Sequence, residues 1–408
     1  MKKLTRIAVT VLVLLLSFSL LAGCATTSTT TAATTAATTG GTTAATTAAT
    51  TAANTETIKI GYVSALSGDT ALWGQAGLNG MLMTAEKINA AGGVLGRQIE
   101  VIGLDGRGDA QDSVNAYNKL VDEYKVVAVV GTNFSSCNIP IAAVADVKKV
   151  PVIATAASNE LVTVDEKGNL HPYSFRLCFI DSFQGGKMAE YMLSKGVKTA
   201  AILTNIGDSY SVGVSQYTVA AFEAGGGTIV ASEEANSGDN DFRAQLSAIA
   251  QADPEVLFIP WIYNDVALIS KQARELGLEC QFVGFDGWDS MELPTLAEGS
   301  LEGALFCSRP GFNTPEAKAY GEEYKAKYNI GLEGECLFGN DGILWVAQAI
   351  EQAGSTDPTA IRDALENTTS FKGLIGEMSV DPKTHNPQRE LAIFEIKGTE
   401  EVFVEMFN

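Results

Sequence analysis

Twice along this chain, short apolar segments alternate with amphipathic segments of helical period. That alternation restricts the fold to a layered α/β architecture. In the first run, Ile58–Ala65, Gln98–Leu104, Val126–Val130 and Pro151–Ala154 read as strands. Between them, Trp73–Asn89 carries Leu78, Met81, Leu82, Ala85 and Ile88 at three- and four-residue steps, the spacing of one helix face. Gln111–Glu123 and Ser135–Lys149 read as the next two helices. The strands are near-continuous apolar runs, as in a parallel sheet covered on both faces. The rhythm then restarts, with strands over 199–204, 228–232, 256–260 and 281–285 and helices over 182–194, 210–224, 241–251 and 266–276. Helices over 315–328 and 341–353 and a strand pair over 391–396 and 402–406 complete the chain. Two doubly wound parallel-sheet lobes are expected, divided near 175–181. No long tether separates them, so a cleft between them is expected as well.

The N-terminal segment stands outside this pattern. Lys2, Lys3 and Arg6 precede an apolar run from Ile7 to Ala22 that is too short for a comfortable membrane span. The run ends in Leu21-Ala22-Gly23-Cys24, which resembles a bacterial lipoprotein cleavage site. The expectation is a signal peptide over 1–23 and a lipid-bearing Cys24; an ordinary signal peptide with an incidental Cys is the alternative. Residues 25–55 are almost entirely Thr and Ala, which cannot build a core and read as a disordered tether. The formal charge of −20 argues against nucleic acid and against a basic membrane-binding face.

In open α/β sheets, ligands bind beyond the carboxyl ends of the strands. The residues there are small and polar: Ser64, Thr132–Ser136, Thr155–Asn159, Asn205–Tyr210, Trp261–Asn264 and Asp286. Catalysis finds little material. The two histidines, His171 and His385, sit beside prolines in turns, and no nucleophile elbow, phosphate loop or zinc-protease motif occurs. Asp105, Asp109 and Asp112 lack the spacing of a calcium loop, and Asp109 reads as a helix cap. The five cysteines beyond Cys24 include no C-x-x-C pair. The composition suits binding better than bond-making; no metal and no cofactor are expected.

The segments IKIGYVSALSGDTALWGQAGLNG, GTNFSSC, PVIATAASN, FRLCFIDSFQG, DSYSVG, SGDNDFRAQL and QFVGFDGWDS, in this order, resemble ABC-transporter substrate-binding proteins of the branched-chain amino acid type. The likeness runs from about Ile58 to Met406. It implies the type I periplasmic-binding fold, with lobe 1 over 56–178 and 310–375 and lobe 2 over 179–309 and 376–408. Three crossovers would join them, near Phe175–Phe179, Ser308–Pro310 and Leu374–Gly376.

The resemblance also implies roles. Ser135, with Ser136 beside it, corresponds to the serine that holds a ligand carboxylate, and Ser158, with Ala156 and Ala157, to a second hydroxyl position. Asp286 corresponds to the acid that receives the ligand ammonium. Tyr210 and Trp73 correspond to aromatics that close over the ligand. Trp261-Ile262-Tyr263 departs from the Gly and two tyrosines frequent there, and Ile262 offers no hydrogen bond. Plainer readings stay open: Ser135 as a helix cap, Asp286 as a turn cap, Trp73 and Tyr210 as packing. Relatives with the SSC form imply a Cys137–Cys178 disulfide, with separate thiols as the alternative. The function implied is an exported, lipid-anchored, monomeric receptor that captures an amino acid and delivers it to an ABC permease and its ATPase. The alternatives are a same-fold receptor for an amide, urea or aromatic acid, or a sensor that signals to a partner.

Overall fold

The computed structural model describes residues 56–309 and 314–407. Cys24 and the Thr/Ala tract lie outside the described residues, as does Pro310.

Five parallel strands form the first sheet: β1 (Ile58–Ser64), β2 (Ile99–Asp105), β3 (Ala128–Val130), β4 (Val152–Ala154) and β5 (Ser174–Arg176), in spatial order β2-β1-β3-β4-β5. The next strands are β6 (Thr199–Asn205), β7 (Thr228–Ala235), β8 (Val256–Phe258), β9 (Gln281–Gly284) and β10 (Leu305–Ser308). A small hairpin, β11 (Phe371–Gly373) and β12 (Gly376–Met378), precedes β13 (Ala392–Lys397) and β14 (Glu400–Met406). The second sheet runs β14-β13-β10-β9-β8-β6-β7. It is mixed rather than wholly parallel, because β13 runs antiparallel to β10 and folds back on itself as a hairpin with β14.

Side chains alternate across each sheet, so each sheet carries two cores. On one face of the first, Ile58, Ile60 and Tyr62 pack with Val130, Ile153 and Phe175 against residues of the helices Ala71–Ala90 and Gly334–Ala353. On the other, Val63, Val129 and Val152 meet Tyr117 and Ile141. In the second sheet Leu203, Leu257 and Phe282 face one core, and Ile202, Phe258 and Val283 the other. Burial on both faces is why the central strands β3, β4 and β8 (AVV, VIA and VLF) are apolar without a gap.

The third crossover lies later than expected. Met378 and Val380 still belong to the core of the first lobe, and Val380 bridges to Pro387. The His385 ring lies 2.9 Å from the Ser174 carbonyl and stacks on Phe175. The chain joins the second sheet only around Leu391–Ala392, so the boundary at 375/376 moves toward 390. Arg389 marks the passage, its Nε donating to Leu177 O at 2.9 Å across to the first crossover.

The expected disulfide is absent: Cys137 and Cys178 are both free thiols. Cys137 lies in the first turn of the helix Ser135–Lys148, its thiol near the Ser113 hydroxyl, whereas Cys178 faces a small cavity with Phe338 and Arg389. Burial pushes the Cys137 thiol up to about 11 and Cys178 to about 12, so neither is a reactive thiolate.

Candidate functional site

Between the two sheets, at the carboxyl ends of their strands, lies a cavity of about 380 Å³ including space open to solvent. Asn133, Phe134 and Ser135 reach it after β3, and Ala156 after β4. Ile262 arrives after β8, Asp286, Gly287 and Asp289 after β9, and Arg309 after β10. Trp73 and Tyr210 come from first turns of helices, as does Glu335.

Six expected residues therefore meet at one cavity: Trp73, Ser135, Ala156, Tyr210, Ile262 and Asp286. The other four do not line it. Ser136 faces a separate outer groove with Phe134 and Ile262. Ala157 and Ser158 are fully buried behind Ala156. Tyr263 packs its ring on Trp73, centroids 4.9 Å apart.

Ser135 is not the cap of its helix; Phe134 occupies that position. The Ser135 hydroxyl accepts a hydrogen bond from Asn159 N at 3.1 Å, which leaves its proton free to donate into the cavity. Next to it, Asn133 accepts from the Ser64 hydroxyl at 2.7 Å, while its Nδ2 is buried with no partner among the described residues. The first turn of a fourteen-residue helix starts here, so its free N–H groups and dipole add to the positive potential.

On the opposite lobe β9 ends in a 3-10 turn, Asp286–Trp288, anchored by Trp288 Nε1 donating to Ile259 O at 2.9 Å. Gly287 serves packing here: a Cβ on it would lie 2.8 Å from the Tyr210 hydroxyl, which accepts the Gly287 N–H at 3.0 Å. Asp286 N donates to Gln184 Oε1 at 3.2 Å. Asp286 itself is 7% exposed, and its Oδ2 has no partner among the described residues. Burial pushes its carboxyl up to about 6, against the pull of Arg309. Glu335 is pushed up to about 7, mainly by burial. Arg309 pairs with Asp289 at 3.1 Å and lies over the Phe338 ring. The site thus offers hydrogen-bond donors on one lobe, unpaired acid at Asp286 on the other, and an aromatic wall.

Asn133 and Phe134 fall inside a segment already singled out at a strand end, and Gly287 and Asp289 directly follow Asp286, so strand periodicity could have flagged them. Arg309 and Glu335 carried no such signal: one lies in a crossover, the other opens a late helix. Gln184 was also missed. Fully buried, it donates to Ser158 Oγ at 3.3 Å and accepts from Asp286 N, linking the two ligand-facing loops.

These raised carboxyls have a consequence for stability. Asp286 goes from its ordinary 3.8 to about 6, and Glu335 from 4.5 to about 7. The native state then holds these protons more tightly than the unfolded chain does. The associated stability is complete below about pH 4 and is lost as pH rises through about 6 to 7. Asp208 and Asp265, also raised to about 6 by burial, act in the same sense. Buried His385, lowered from 6.5, opposes this as the pH falls, but it is one group against several acids. Urea midpoints of the ligand-free protein are expected to be higher at pH 5 than at pH 8; lower midpoints at pH 5 would contradict the burial of these acids.

No helix among the described residues is long and apolar enough to cross a membrane, and no cluster of metal-ligating side chains occurs among them. Residues 57–401 match the periplasmic binding protein family. A leucine-, isoleucine-, valine-, threonine- and alanine-binding protein of Pseudomonas aeruginosa is 28% identical over 83% of this chain and 90% of its own. A leucine binding protein of Thermotoga maritima superposes with TM-score 0.80 at 31% identity, over 86% of this chain and 99% of that one. The branched-chain amino acid transporter substrate-binding protein of Streptococcus pneumoniae, in complex with isoleucine, gives 0.78 at 31% identity, over 86% and 99%. With two α/β lobes, a cavity at the strand ends and this match over most of its length, the chain belongs to the periplasmic binding protein family.

Proposed function

We propose that the protein is an extracytoplasmic receptor, not an enzyme, that captures an amino acid between its lobes and hands it to an ABC permease and its ATPase. The observation that carries this reading is the buried, partnerless oxygen of Asp286, facing across one cavity the free donors around Ser135 and Asn133. A zwitterion satisfies both ends: its ammonium goes to Asp286, its carboxylate to the Ser135 hydroxyl, Asn133 Nδ2 and the helix N-terminus. Because the two ends belong to different lobes, the ligand stabilises the closed form over the open one. Ser158 and Gln184 support the two loops from behind, and Trp73 and Tyr210 supply the walls. The relatives named for amino acids agree with this chemistry. Lipid on Cys24 and the Thr/Ala tract would hold the receptor, as a monomer, on the outer face of the cell membrane.

The test is a thermal-shift screen of protein refolded once from denaturant to remove carried ligand, against the twenty amino acids, urea, short amides and aromatic acids. A ligand at about 100 times its dissociation constant stabilises the native state by about 2.7 kcal/mol. Shifts among amino acids are expected, with a smaller radius of gyration in solution scattering when the ligand is present. Shifts confined to amine-free compounds would overturn the amino-acid assignment.

A further inference from the structure

We infer that the site selects an amino acid whose side chain carries a hydrogen-bond donor, and that Glu335 is the residue that selects it. This rests on the amino-acid reading above and deepens it.

Glu335 is in the first turn of the helix Gly334–Ala353 and is 3% exposed. It lines the same cavity as Asp286, and its Oε2 has no hydrogen-bond partner among the described residues. The other acid at the cavity, Asp289, is already engaged by Arg309 and by the Ser308 hydroxyl. Arg309 attracts Glu335 as well, but it is paired with Asp289 and burial outweighs its pull, so an ammonium placed at Asp286 leaves Glu335 Oε2 without a hydrogen bond when Glu335 is ionised. A purely aliphatic side chain packed against it would exclude water and supply nothing in return, which is the costly way to bury an acid. A hydroxyl, carboxamide or ammonium on the ligand removes that cost. A buried polar group that needs its partner also discriminates more sharply than an apolar wall, which cannot distinguish similar shapes well. Ile262 and Trp73 offer apolar surface at the same cavity, and the Trp73 Nε1, itself without a partner among the described residues, can donate to a side-chain oxygen.

Calorimetric titration of the full chain in detergent, refolded to remove carried ligand, tests this. The panel is leucine, isoleucine and valine against serine, threonine, asparagine, glutamine, ornithine and lysine. The wild type is expected to bind its best donor-bearing ligand at least ~10-fold more tightly than its best aliphatic one. Glu335→Leu should invert that order, and Glu335→Gln, which keeps the shape and one acceptor, should shrink the ratio; the second variant carries the test if the first does not fold. An aliphatic preference in the wild type, or a ratio unchanged in both variants, would overturn the role of Glu335 and leave amino-acid capture standing. Absence of binding by every amino acid would overturn both.

Discussion

Replacing Asp286 with Asn is expected to weaken amino-acid binding by ~30-fold or more while making the ligand-free protein more stable. The two signs have one cause. Burial has raised this carboxyl from 3.8 to about 6, so keeping it ionised near neutral pH costs the empty protein about 3 kcal/mol. Asn removes that cost, and a rise in melting temperature of about 4 °C is expected. When ligand binds, the carboxylate gains an ammonium in a site shielded from water. Removing one partner of such a pair costs about 2–5 kcal/mol, which sets the loss in affinity. Melting curves with and without ligand, together with calorimetry, read both quantities from one preparation. An acid that only stabilised its turn would give the opposite melting shift and no loss of affinity, so the pair of readings separates the roles.

The sequence carried the layers of the fold because burial on both faces of a sheet leaves an unbroken apolar run. The helix Pro315–Tyr328 has its expected bounds, marked by Thr314 accepting from Ala317 N and by Pro at the first turn. β10 was missed, since LFCS is a four-residue run too short to show a period. The hairpin β11–β12 was missed because its three-residue strands show no alternation to count. Within the site, strand-end residues were legible because the position of a strand end follows from the strand. Residues delivered by the crossovers and the late helix were not, since only the tertiary path brings Arg309 and Glu335 beside Asp286. Trp261 shows the converse. Its sequence neighbourhood pointed to the pocket, yet its Nε1 donates to Leu203 O at 2.9 Å and its ring packs edge-on against Phe242, inside the second lobe's core.

Arg176 is where a second large effect is expected, and its importance is visible only in three dimensions. In the sequence it is one letter of the FRLC segment at the first crossover; in the fold it ends β5 fully buried. Its guanidinium donates to Ala157 O at 3.1 Å, Asn159 O at 2.8 Å and the Thr163 hydroxyl at 3.3 Å. These bonds shape the loop that presents Ala156 to the cavity, and Asn159 N in turn holds the Ser135 hydroxyl. Arg176→Met keeps much of the apolar stem but strands two buried carbonyls and removes the cation facing Asp181 and Glu160. Breaking such a network costs about 3–5 kcal/mol, so the melting temperature is expected to fall by about 4 °C or more. Ligand affinity should fall with it, because the donors around Ser135 lose their support. Arg176→Lys restores the charge but not the planar fork, and should recover only part of either quantity. If the methionine variant melts and binds as the wild type does, the loop is held by other contacts, and the bonds from Arg176 are incidental to the site.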